Sequence, residues 1–209
     1  AVWDGGFFIH SNAAEGIVFQ VDGTEVHSDL AFYGDGARTQ IVFSAGAEIR
    51  AYRMGVETSL WSSTCAAPVD HVFALLEGPF TNRAWRILVA RADGWVEKRN
   101  AEDGQLIAGS VQLPARVLAI ASGDLDGDGN PEVVCATTEA DFGRIHVLNA
   151  ELQLLWTYQP GEAFYPTEDQ TSPTFADFYP RDGVDELVLT RRDGAIEVYE
   201  MPAEDWAES

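Results

Sequence analysis

The densest chemistry in the chain lies in one stretch, Asp124-Leu-Asp126-Gly-Asp128-Gly-Asn130-Pro-Glu132. Carboxylates at positions 1, 3 and 5, with glycine at 6, let a tight loop gather oxygen ligands around one hard cation. Ca²⁺ takes about six to eight such oxygens at ~2.3–2.6 Å, whereas Mg²⁺ takes fewer protein ligands and keeps its waters. The backbone carbonyl of Asn130 falls at position 7 and Glu132 at position 9. Carboxylates crowded in this way repel one another without a counter-ion. The spacing therefore predicts one Ca²⁺ site formed by Asp124, Asp126, Asp128, Asn130 and Glu132, against the plainer reading of a solvated Asp/Gly turn.

An EF-hand loop opens in the same way but needs a bidentate Glu at position 12, which here is Cys135. Its flanks should be helices, yet Arg116–Ile120 and Glu132–Cys135 read as extended, so a loop joining two strands fits better. Catalytic constellations are not apparent. His10, His27, His71 and His146 lack metal-ligand spacing, no Ser lies in a nucleophile elbow, and Cys65 has no evident partner. Carboxylate pairs are too plentiful to single out an acid and a base. No catalytic residue and no organic cofactor is assigned.

The elements that position the acidic loop recur along the chain. Alternating strands begin at Gly16, Gly46, Gly94, Gly143 and Gly194, spaced by 30, 48, 49 and 51 residues. Each follows an apolar strand: Phe7–His10, Gln40–Phe43, Arg86–Val89, Glu132–Cys135 and Glu186–Leu189. Trp61, Trp156 and Trp206 recur near the strand that comes next. A unit of three or four strands cannot bury both faces alone, so units of about 40–50 residues must stack, as in a β-propeller. The expectation is an all-β propeller of about five antiparallel, three- to four-stranded blades. The approximate units are 1–30, 31–75, 76–115, 116–170 and 171–209, within a single domain. An eight-stranded sandwich or barrel is the alternative, although it needs no glycine-phased repeat. The opening unit is short and reads as lacking its innermost strand. Either strands from both chain ends share a blade or the chain is part of a longer one.

Gly123–Val134, followed by Gly143-Arg-Ile-His-Val and Leu154-Leu-Trp156, resembles the FG-GAP/VCBS-type propeller repeat, also seen in integrin α-subunit propellers. The resemblance implies a Ca²⁺ bound by Asp124, Asp126, Asp128, Asn130 and Glu132, where the usual last ligand is Asp. The turn Glu102–Leu106 also resembles PQQ-type propeller repeats. Other units depart from the pattern: Asp177–Glu186 has one extra residue and Arg181 among its acids, where an Arg–carboxylate pair could replace the cation.

Composition sets the limits on partners. Lys plus Arg number 13 against 34 Asp plus Glu, a net charge of −21, which excludes a nucleic-acid surface and disfavours an anionic membrane. No apolar run approaches the ~18 residues of a membrane span, so this is not an integral membrane protein of the helical kind. The start at Ala1 is read as a removed export leader or a trimmed end, which predicts a secreted, periplasmic or cell-surface protein. Cys65 and Cys135 are read as buried thiols, with a bridge between them left open. The loop Tyr158–Ser172, with aromatics among acids and prolines, suits either a partner-binding edge or a crossover. By fold-level analogy the expected function is non-enzymatic: a calcium-stabilised scaffold that binds a protein or carbohydrate, or an accessory subunit of a larger assembly. The alternative is an enzyme on a propeller, a polysaccharide lyase or hydrolase or a quinone-dependent dehydrogenase-like protein.

Overall fold

A strand that is apolar at every position must be covered on both faces, because successive side chains point to opposite sides. That requirement is met by stacked sheets. The computed structural model describes residues 2–3, 6–11, 16–22, 28, 30–34, 39–56, 58–78, 82–139, 142–159, 173–177, 183–190 and 194–200. Every regular element among them is a strand. The first sheet holds β1 (Val2–Trp3), β2 (Gly6–Ser11) and β3 (Gly16–Asp22). The second holds β4 (Ala31–Tyr33), β5 (Gln40–Ala45), β6 (Glu48–Arg53) and β7 (Ser59–Thr64). The third comprises β8 (Val69–Glu77), β9 (Ala84–Arg91), β10 (Trp95–Asn100) and β11 (Leu106–Gln112). The fourth comprises β12 (Val117–Gly123), β13 (Glu132–Glu139), β14 (Phe142–Leu148) and β15 (Leu154–Tyr158). The fifth has β16 (Thr174–Ala176), β17 (Glu186–Thr190) and β18 (Ile196–Tyr199). Each sheet is an antiparallel meander in chain order, and the five sheets are the blades of a β-propeller.

The blades stack through their central strands. In β13, Val133 and Cys135 pack with Leu88 and Ala90 of the third blade, whereas Val134 and Ala136 pack with Leu187 and Leu189 of the fifth. β9 alternates likewise, with Ile87 and Val89 turned to the second blade and Leu88 and Ala90 to the fourth. Full burial of each such side chain contributes about 1.5–3 kcal/mol. The first strands β4, β8, β12 and β16 lie beside one another in turn, forming the inner edge of the arc. Side chains of polar character also tie blades together: Tyr33 and Trp61 of the second blade both donate to the Ala101 carbonyl of the third, at 2.8 and 2.9 Å.

Among the described residues, the fifth blade is covered on one face only. Leu187 and Leu189 are buried against the fourth blade, while Ile196 and Val198, paired across to Thr190 and Val188, remain 67% and 55% exposed.

Several boundaries differ from the expected ones. The opening blade does have a strand ahead of β2: the two-residue β1 pairs with it, Val2 opposite Phe7 and Trp3 opposite Gly6. The 75/76 division between the second and third units falls inside β8, whose residues Val69–Glu77 bond to β9, so the third sheet starts at Val69. Trp61 and Trp156 occupy matching places on the fourth strands, opposite Ala51 and Val147. Trp206, Arg181 and residues 160–172 of the aromatic loop lie outside the described residues. Both cysteines are free and buried, Cys65 between the second and third blades and Cys135 between the third and fourth, so no bridge joins them.

Candidate metal centre

The acidic loop leaves the sheet where Gly123 pairs with Glu132, between β12 and β13. Its course is set by its own side chains. Asp126 Oδ1 accepts from the Asp128 amide at 3.0 Å, Asp128 Oδ1 from the Asn130 amide at 2.6 Å, and Asp124 Oδ2 from the Gly129 amide at 3.0 Å. Successive Asx turns of this kind suit Asp and Asn at alternate positions. Gly127, at φ +73°, supplies the left-handed turn between them. Leu125, fully buried with Ile145, Val147 and Leu187, anchors the loop to the core.

The structure brings Asp124, Asp126 and Asp128 together: one carboxylate oxygen from each lies within 4.8 Å of the others. The second oxygen of Asp124, Oδ1, is buried and accepts no hydrogen bond. Burial, opposed by bonds from the Gly129 and Gly127 amides, raises the Asp124 carboxyl above its ordinary range, and the charges of Asp126 and Asp128 add to the rise. Glu132 sits behind the loop at 3% exposure, with Oε2 accepting from the Leu125 amide at 2.8 Å. Burial, reinforced by the three aspartates, pushes it up to about 8. Asn130 donates from its side-chain nitrogen to Asp128 Oδ2 at 3.3 Å. Asp126, Asp128, Asn130 and Glu132 line one cleft of about 310 Å³ with the turn Asn149–Glu151. The donor set is entirely hard oxygen, with one buried acceptor unsatisfied, and fits a divalent cation of the Ca²⁺ type.

Sequence reasoning missed one residue at this centre. The Asp124 amide donates to Asp185 Oδ2 at 3.0 Å, and the Asp185 amide donates to the Asp124 carbonyl at 2.7 Å. The available signal was an additional acid directly before Glu186, at the place where the fourth blade has Pro131 before Glu132. In the fifth blade Asp177 Oδ2 accepts from the Gly183 amide at 3.2 Å, as Asp124 does from Gly129, but residues 178–182 lie outside the described set.

The third blade handles its buried charge differently. Glu97 receives Arg91 Nη1 and Arg99 Nη2, each at 2.6 Å, and Arg99 Nη1 continues to Ser63 and the Gly104 carbonyl. Burial acts to raise the Glu97 carboxyl, but the two guanidinium groups outweigh it and hold the group below its ordinary value. Lys98, the single lysine, donates to Glu77 Oε1 at 2.6 Å and to the Ala150 carbonyl of the fourth blade. His146 lies between Thr137 Oγ1 at 3.0 Å and Thr157 Oγ1 at 3.2 Å, and burial, with help from Arg144, lowers its pKa to about 4.

Residues 117–148, covering β12 through β14, match the FG-GAP repeat. Among solved structures the chain is similar to BBS1N, crystallised in complex with ARL6DN, at 18% identity with a TM-score of 0.67. It is similar to the β-propeller domain of Cps50 (Swd1) from Myceliophteria thermophila, at 14% identity and a TM-score of 0.62. It also resembles BamB from Moraxella catarrhalis, at 17% identity and a TM-score of 0.54. These matches cover 95%, 99% and 90% of this chain but 58%, 62% and 57% of the other three. At such identities they establish the propeller fold. No curated protein matches the sequence.

Proposed function

We propose that the chain is a non-enzymatic, calcium-stabilised propeller scaffold that binds a protein partner. The observation that carries the calcium reading is the convergence of Asp124, Asp126 and Asp128, together with a buried Asp124 oxygen that accepts no bond. The three aspartates would supply side-chain oxygens, with Asn130 and Glu132 lining one cleft with Asp126 and Asp128. Bound there, Ca²⁺ supplies charge neutralisation and oxygen bridging rather than reaction chemistry. The chain's residues do the rest: the Asx turns present the carboxylates, and Leu125 fixes the loop on the core.

The partner reading is supported by the company the fold keeps, since BBS1N was crystallised with ARL6DN. Rigid stacked blades with loops at both ends present surfaces of the kind used in recognition. A calcium-dependent fold suits an exported protein, where sites with Kd of about 10⁻⁴–10⁻³ M are filled.

The test is a thermal melt of the chain with chelator, then with Ca²⁺ added back. Chelation lowers Tm and Ca²⁺ restores it, and Asp126→Ala abolishes the response. An unchanged melt in the wild-type chain overturns the calcium reading.

A further inference from the structure

The metal loop belongs to the fourth blade by sequence, yet much of it rests on the fifth. A Cβ placed on Gly123 would stand 2.4 Å from the Phe175 ring of β16. One placed on Gly127 would stand 2.9 Å from Val184 Cγ2. Between these two approaches, Asp124 and Asp185 exchange amide bonds at 3.0 and 2.7 Å, closing a ring between residues 61 apart in sequence. The start of the loop, its first acid and its central turn are therefore all seated on one neighbouring blade.

We propose that Asp185 is a positioning residue for the metal loop, and that the cation bound there latches the fifth blade to the fourth. The inference rests on the calcium reading above. Asp185 touches the backbone of Asp124, not the converging carboxylates, and it fixes the peptide from which the Asp124 side chain projects. Its carboxylate also brings one more negative charge to a loop that already holds three. With a cation present that charge is attracted; with the cation removed it is repelled, and the seam between β12 and β16 is what yields. Among the described residues, this seam is where the fifth blade packs on the rest of the fold.

Hydrogen–deuterium exchange of the whole chain tests the latch, alongside calorimetric Ca²⁺ titration of the same samples. Chelation should speed exchange in peptides from β16–β18 while leaving β5 and β6 unchanged. Asp185→Ala should weaken Ca²⁺ binding about tenfold, as expected when a residue supporting a metal ligand is lost. It should also remove the chelator-dependent difference in β16–β18. Asp185→Asn keeps an oxygen for the Asp124 amide and should retain most of the affinity, an outcome that mere loss of folding would not produce. If calorimetry shows binding while β16–β18 exchange ignores the chelator, or if Asp185→Ala binds Ca²⁺ like wild type, the latch is wrong and the calcium site stands. Absence of binding heat in the wild type overturns both.

Discussion

Glu97 and Glu132 are buried to nearly the same degree, at 5% and 3% exposure, yet their neighbours drive them in opposite directions. Around Glu97 the chain supplies Arg91 and Arg99, and the carboxylate stays ionised despite burial. Around Glu132 it supplies three more acids and a single backbone amide, and burial together with those acids pushes the carboxyl up to about 8. One blade carries its counter-charge in its own sequence; at the other, on the calcium reading proposed above, a bound cation would take that place. The difference shows how repeats of one architecture diverge: a site closed by arginine is permanent, whereas a site left acidic makes stability depend on solution composition.

The comparison breaks most sharply at Glu97. Glu97→Ala leaves the Arg99 guanidinium buried without its carboxylate and Arg91 with Asp93 alone, and loss of one partner of a buried pair costs about 3–5 kcal/mol. A urea melt should show that loss equally with and without chelator, because the network is self-contained. A chelator-sensitive loss would contradict the division between the two blades.

The acidic loop should give the next largest effect. At a hundredfold excess over Kd, a cation bound only by the folded state stabilises it by about 2.7 kcal/mol. The difference between Ca²⁺ and chelator melts should approach that figure, and Asp126→Ala should reduce it to nothing while leaving the Glu97 network intact.

A third class of buried group, His146, is satisfied by neutral hydroxyls, and pH separates it from the other two. Its folded pKa of about 4 lies below the ordinary 6.5. The unfolded chain therefore takes up a proton that the folded chain refuses. The contribution is complete above pH 6.5 and is lost as pH falls from there towards 4. Between pH 7 and 5 this amounts to up to about 2 kcal/mol by proton linkage. Glu132, raised by burial, shifts stability in the opposite direction over the same range, so the readout is a difference: in denaturant melts at the two pH values the wild type should lose up to that much more stability than His146→Gln.

The smallest effect is expected at Asp93, which also bonds Arg91 but whose side chain is 41% exposed. Asp93→Ala should cost about 0.2–1 kcal/mol, the range of exposed ion pairs. A larger loss in a urea melt would mean that the arginine network depends on its rim as well as on Glu97.

Much of this arrangement was legible in the sequence. The acid spacing located the loop, and glycine-phased apolar strands located two adjacent strands of every blade. The inner strands were harder to read, for a physical reason. In β8 the buried residues are Val69, Val72 and Leu75, spaced by three, because the register shifts between Val69 and His71 and both faces are in use. That spacing hides a strand from a test for alternation. The Glu97 network was hidden in a different way. Glu97, Lys98 and Arg99 are three consecutive charged residues in β10, and composition alone reads them as solvated. Only the tertiary pairing with Arg91, Glu77 and Ala150 makes their burial tolerable. Asp185 escaped notice because its partner is a backbone amide in another blade, which no local pattern records.

The single lysine has one further consequence. With Lys98 at 5% exposure, its amine enclosed by Glu77 and Ala150, the folded chain offers reagents that target lysine no accessible side chain. Labelling at this residue becomes a clock for parting of the third and fourth blades: acylation can proceed only as fast as that seam opens, and it marks one known atom when it does.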